Sequence, residues 1–262
     1  YRQAILLQDD YAEAYINMAL ALNGVIFTEP NPSVQEIITS MLDHKTYVRP
    51  RDISIAAISL LKLEPTIRAV IEIQLAREIR LSLQKIIADL SDIPLLLKLM
   101  SVCPLADLEL EAILTDIRSG LLSSFSEITA TLKTLRFQSA LALHCFTNEY
   151  VYGQTDIEAK TLETLEAVVK KRFLKGEQPS PQSILCLASY KALHEYEWCD
   201  QHTVTAYTEE VFTRQVIEPK QETRLKSDIP ILQGITDRVS SKVREQYEKN
   251  PYPRWVNTGL TL

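Results

Sequence analysis

Apolar residues recur along this chain three and four positions apart, the spacing of helices that bury one face. Caps and prolines cut the pattern into segments. Residues 1–24 hold two short ones on either side of Asp9 and Asp10, and residues 27–33, with Pro30 and Pro32, break the pattern. Ser33-x-x-Glu36 then predicts a capping box that opens a helix to about Leu42. Arg49-Pro50-Arg51-Asp52 stops the chain and caps a helix over 53–61, and Pro65 suits the first turn of the next, with the stripe Ile67, Val70, Ile71, Leu75 and Ile79. Asp92 with Pro94 opens 95–100, and Asp107 opens 108–122.

Residues 137–150 carry small and large apolar side chains on nearly every face, which predicts a central buried helix. Thr155-x-x-Glu158 is a second capping box, for a helix that ends with Gly176 at C′. Ser180-Pro181 starts another helix to about Tyr190, and two or three more cover 208–226 and 236–249. No stretch sustains the period of two that a half-buried strand requires. The predicted fold is all-α.

Composition sharpens this picture. Six glycines in 262 residues leave few places for the positive-φ turns and close backbone approaches of sheet-rich or nucleotide-binding α/β folds. A net charge of −6 steers the surface toward neither nucleic acid nor anionic membrane. No apolar run approaches the roughly 18 residues of a membrane span. Cys103, Cys145, Cys186 and Cys199 form no CxxC pair and mostly sit in apolar contexts, as reduced thiols of a cytoplasmic protein do.

Five stretches carry a family resemblance. In 1–24, Tyr1 and Ala4 fall where the second helix of a tetratricopeptide repeat has its aromatic and its alanine. Asp9 falls at the inter-repeat turn, and Tyr15, Met18, Ala19 and Leu22 match the next first helix. The strings LHCFTNEYVY (143–152), LASYKALHEYE (187–197) and RQVIEPKQETRLKSDIP (214–230) are three further landmarks. The fifth, VSSKVREQYEKNPYPRW (239–255), is the most specific. Together they resemble bacterial tetratricopeptide proteins in which a YEENPYPRW-type signature leads into a class I S-adenosylmethionine-dependent methyltransferase domain; Lys249 stands here where an acidic residue is more usual.

The resemblance implies the end of a tetratricopeptide superhelix (1–26), an irregular helical bundle (33–235), and a helix and linker (236–262) leading to a catalytic domain. The strand, glycine-rich turn and acidic residue that such a domain needs for its cofactor do not occur in the chain. The expectation is therefore a chain with no catalytic residue, no metal and no cofactor of its own, whose parent protein uses S-adenosylmethionine. Its expected partners are a protein or peptide bound through the repeats and the catalytic domain, with neither nucleic acid nor membrane among them. The alternative is a tetratricopeptide interaction scaffold without enzymatic role.

Within the signature, Tyr247, Asn250, Tyr252, Arg254 and Trp255 are the leading candidates for contacts to a neighbouring pocket or domain. Two prolines hold the segment extended, and Arg254 with Trp255 offers a cation, a planar donor fork and a large ring. The same segment also suits a stiff linker whose tryptophan fills an interdomain groove. Asn148, Glu149 and Tyr150 are secondary candidates, as pocket lining or as a network closing a helix end. Cys199-x-x-His202 has no second pair at zinc-site spacing, and His144 and Cys145, adjacent on a helix, do not face each other. Lys170, Lys171, Arg172 and Lys175 close a helix, where cations suit the macrodipole.

Overall fold

The computed structural model describes residues 2–8, 11–43, 48–76, 82–228 and 237–249. Among them there is no strand, and the fold is all-α. The helices are α1 (Arg2–Leu7), α2 (Ala12–Leu22), α3 (Pro32–Asp43), α4 (Pro50–Leu63), α5 (Pro65–Ala76), α6 (Leu83–Leu90), α7 (Pro94–Val102) and α8 (Leu108–Ser123). After them come α9 (Leu132–Thr147), α10 (Asp156–Leu174), α11 (Pro181–Ala188), α12 (Glu209–Phe212), α13 (Glu218–Asp228) and α14 (Arg238–Lys249). A π-helical turn, Thr213–Ile217, joins α12 to α13, and two 3-10 turns, Leu193–Glu195 and Cys199–Gln201, follow α11. No described helix is long and apolar enough to cross a membrane.

Several caps stand where the sequence puts them. Asp107 accepts from the Glu109 and Leu110 amides, Thr155 and Glu158 form the reciprocal box, and Ser180 caps α11. Gly176, at φ +73°, ends α10 in the left-handed region that favours glycine. Three expected caps are corrected. The side chain of Asn31, not Ser33, accepts from Val34 at the start of α3; α4 begins at Pro50 after Arg49, which leaves Asp52 in the first turn; and α7 follows Ile93, not Asp92. In each case proline occupies the first helical position, where its fixed φ sets the start in place of the polar residue.

The helix expected over 137–150 is α9, which starts earlier, at Leu132, with the Thr131 side chain accepting from Thr134. It ends at Thr147. Its role as central helix holds: Ala140, Leu141, Leu143, Cys145 and Phe146 are all buried. Two apolar clusters meet on it. One runs from Ile5 to Tyr152 and takes Phe137, Ala140, Leu141 and Cys145; the other takes Leu135, Ala142 and Leu143 with α11 and the residues up to Val216. The second cluster holds an aromatic stack in which Trp198 lies 4.7 Å from Tyr196 and 5.3 Å from Phe173, centroid to centroid. The broadest packing of α9 is against α7 on one side and α11 on the other.

Because Phe137 is fully buried at this seam, Phe137→Ala is expected to cost about 3–5 kcal/mol in denaturant unfolding. A loss below about 1 kcal/mol, the scale of a surface change, would contradict the placement of α9.

Candidate functional site

Three stretches far apart in sequence, 143–152, 187–197 and 214–217, meet in one buried polar junction against α9. Gln215, fully buried in the π turn, holds its centre. Its Nε2 donates to the carbonyls of Ala142 and Ala188, 3.1 Å each, and its Oε1 accepts from the Leu193 amide at 3.1 Å. One side chain thus ties α9, the end of α11 and the first 3-10 turn to the π turn.

Pro219 explains why the turn is π-helical. Proline has no N–H to give the carbonyl four residues back, and its ring crowds that carbonyl. The freed oxygen is that of Gln215, and it accepts from His194 Nδ1 at 2.8 Å instead. A carbonyl only accepts, so the proton of that ring sits on Nδ1. The Glu218 amide reaches back five residues, to Thr213. Beside Gln215, the buried Arg214 guanidinium donates to the Thr147 hydroxyl at 3.0 Å and to the Ser101 carbonyl, joining α7 and α9.

The other half of the junction surrounds Arg118 of α8, which is 2% exposed. A buried guanidinium keeps its charge and must be compensated where it lies. It donates to the Gly153 carbonyl at 2.6 Å and sits 4.2 Å from the centre of the Tyr190 ring, a cation–π distance. The Tyr190 hydroxyl donates to Glu158 at 2.7 Å. Burial alone would raise the Glu158 carboxyl, but the Thr155 amide, the Tyr190 and Thr155 hydroxyls and the Arg118 charge outweigh it and hold it low. The capping box of α10 is therefore also the counter-charge of a buried arginine.

Asn148, Glu149 and Tyr150 lie at this junction, where α9 ends. Asn148 is buried, and its Nδ2 stands 3.4 Å from His144 Nε2, which also lies 2.6 Å from the Tyr152 hydroxyl. Glu149 and Tyr150 have φ of +58° and +56°, consecutive left-handed residues without being glycine, at roughly 1–2 kcal/mol each. The Tyr150 amide reaches back to the Cys145 carbonyl at 2.8 Å, the long bond of a Schellman ending, and its hydroxyl donates to the Ala188 carbonyl at 3.3 Å.

The stronger sequence candidates are placed less fully. Tyr247 falls in the last turn of α14, with its side chain outside the description; Asn250, Tyr252, Arg254 and Trp255 lie outside the described residues. Cys199 opens a 3-10 turn, and His202 gives its Nε2 to a hydrogen bond with the Thr208 hydroxyl, 3.1 Å. Among the described residues no three His, Cys, Asp or Glu side chains cluster as metal ligands would. Lys170 at the end of α10 pairs with Glu197 across the surface at 2.9 Å.

The chemistry of the junction is that of a tie. Burial pushes the Cys145 and Cys186 thiols up to about 12, against the pull of Arg118, and keeps both protonated at neutral pH. Burial also pushes His144 down to about 4, more than the Met100 and Cys103 carbonyls restore. A protonated thiol beside a ring that resists protonation does not make a nucleophile and its base. Sequence reasoning missed Arg118 and Gln215; the one signal for the latter is Pro219, a proline inside a helical pattern. No protein-family model, curated protein or solved structure matches this chain.

His144 sets a pH dependence. Its folded pKa, about 4, lies below the unfolded value near 6.5, so the unfolded chain binds the extra proton between them. Its stabilising contribution is complete above pH 6.5 and falls by about 3 kcal/mol as pH drops to 4. Chemical denaturation across that range should show the slope in the native sequence and a clearly flatter one in His144→Gln. Equal slopes in both would contradict the assignment.

Proposed function

We propose that this chain is the non-catalytic helical accessory region of an S-adenosylmethionine-dependent methyltransferase. In that protein it positions a protein or other macromolecular substrate for a catalytic domain that follows the Asn250–Trp255 signature. What carries the reading is the convergence just described: three of the strings behind the resemblance, up to 67 residues apart along the chain, share the hydrogen bonds of Gln215, Arg214 and Tyr150. Unusual strings that specify one buried junction are what a dedicated supporting domain requires, and their reactive side chains are used as ties. The opening helices are the end of a tetratricopeptide array on this reading, supported by the buried Ala14, Tyr15, Ala19 and Leu22.

A second reading, the interaction scaffold, is favoured by α2. Ile16 and Leu20, one helical turn apart, stay 40% and 67% exposed and flank a groove of about 180 Å³ shared with Val48. It needs no catalytic partner.

The test uses the full-length protein. The coding sequence after Trp255 should supply a Gly-x-Gly-type cofactor loop, and methyl transfer from S-adenosylmethionine should be measurable. Trp255→Ala and Arg254→Ala should then lower cofactor affinity or turnover while thermal stability stays within about 1 kcal/mol. If Trp255→Ala lowers stability and leaves cofactor binding intact, the segment is a linker. Without methyl transfer or a cofactor loop, the scaffold reading replaces the proposal.

A further inference from the structure

Between Thr134 and Asn148, α9 is buried at every position except Arg136 and Ser139. Both line a groove of about 350 Å³ bounded by α3, α7, α9 and the turn entering α12. That volume lies at the lower end of small-molecule sites. Leu97, Ala140 and Leu143 supply an apolar surface, and Tyr207 of that turn and Glu210 of α12 line another side. Lys98 and Asp43 also border the groove but pair with each other.

The Thr39 and Ser101 hydroxyls bond to carbonyls of their own helices, and four other polar side chains stand open. Among the described residues, no hydrogen bond or ion pair engages the Arg136 guanidinium, the Glu210 carboxylate or the hydroxyls of Ser139 and Tyr207. One turn earlier on α9, Lys133 has its partner in Asp92 at 2.5 Å, so the missing partner of Arg136 is not a property of the helix as a whole. A ligand bearing only a negative charge would meet Arg136 but be repelled by Glu210, and a purely cationic one the reverse. One unpaired charge of each sign selects a ligand that carries both.

We propose that this groove binds a small dipolar molecule with an apolar body, an apolar or aromatic amino acid or dipeptide. Its carboxylate pairs with Arg136 and its ammonium group with Glu210, while its side chain lies on Leu97, Ala140 and Leu143 beside Tyr207. The Ser139 and Tyr207 hydroxyls supply hydrogen bonds to the carboxylate or amide. The site is independent of the accessory-region reading and stands or falls without it.

The experiment is a nitrogen-15 NMR titration of the protein with leucine, the dipeptide Leu-Phe, N-acetyl-Leu-Phe and Leu-Phe amide. Leucine or Leu-Phe should give saturable shifts at Ala140, Leu143 and Tyr207, and the tighter of the two identifies the ligand as amino acid or dipeptide. Blocking either terminus should weaken binding about tenfold or more, the effect of losing one charge-assisted hydrogen bond. Arg136→Ala should erase the discrimination against the amide, and Glu210→Gln that against the acetylated form. Both positions are exposed, so the variants keep the fold. Absence of saturable shifts with every probe at millimolar concentration overturns the proposal, as does binding indifferent to the blocked termini and the two substitutions.

Discussion

A single buried amide organises this molecule. Gln215 uses two N–H groups and one oxygen on three backbone partners from three different elements, and none of those elements is adjacent to it in sequence. Ala142 lies inside α9, the Ala188 carbonyl also accepts from the Tyr150 hydroxyl, and the Leu193 amide opens a 3-10 turn. In water such bonds exchange for others at little net gain, but once buried each must be made, because an orphaned amide group costs about 1–3 kcal/mol. Gln215 therefore specifies register more than it adds stability. With it in place the π turn, α9 and α11 have one mutual arrangement.

The same logic runs through Arg118. An arginine buried between α8 and the segment after α9 is costly, and an apolar replacement of similar shape could be as stable. What the arginine supplies is a fixed end for residues 149–155. Its guanidinium takes the Gly153 carbonyl, lies against Tyr190 and faces the charge of Glu158, which in turn caps α10. The left-handed pair Glu149 and Tyr150 turns the chain tightly enough for this to happen, and the Schellman bond and the Tyr150–Ala188 contact hold the strain. Helix end, buried charge and helix start are one structure. The oddness of the strings 143–152 and 187–197 follows from it.

Much of the fold was legible in the sequence, and the reasons are local. Asp107, Thr155 and Ser180 cap the helices they precede because a cap acts within three residues. The apolar circumference of 137–147 marks a buried helix in any context. Boundaries were misread where proline rather than a polar cap sets the start, at Pro32, Pro50 and Pro94. The short helix α6 was missed between an expected stripe and Asp92, although Ser82 caps it. The candidate site was legible only in part. Asn148 and Tyr150 drew notice as polar residues at a helix end, whereas Gln215 and Arg118 look like ordinary surface residues until partners 73 and 35 residues away are brought to them.

Native-state hydrogen exchange tests most directly whether the junction binds the two halves into one cooperative unit. The amides of Leu143 and Cys145 in α9, Leu187 in α11 and Val216 in the π turn should exchange through one opening, with a common free energy equal to that of global unfolding. If Val216 and Leu187 exchange at a distinctly lower free energy than the α9 amides, the second cluster opens by itself and the junction is not what holds the molecule together.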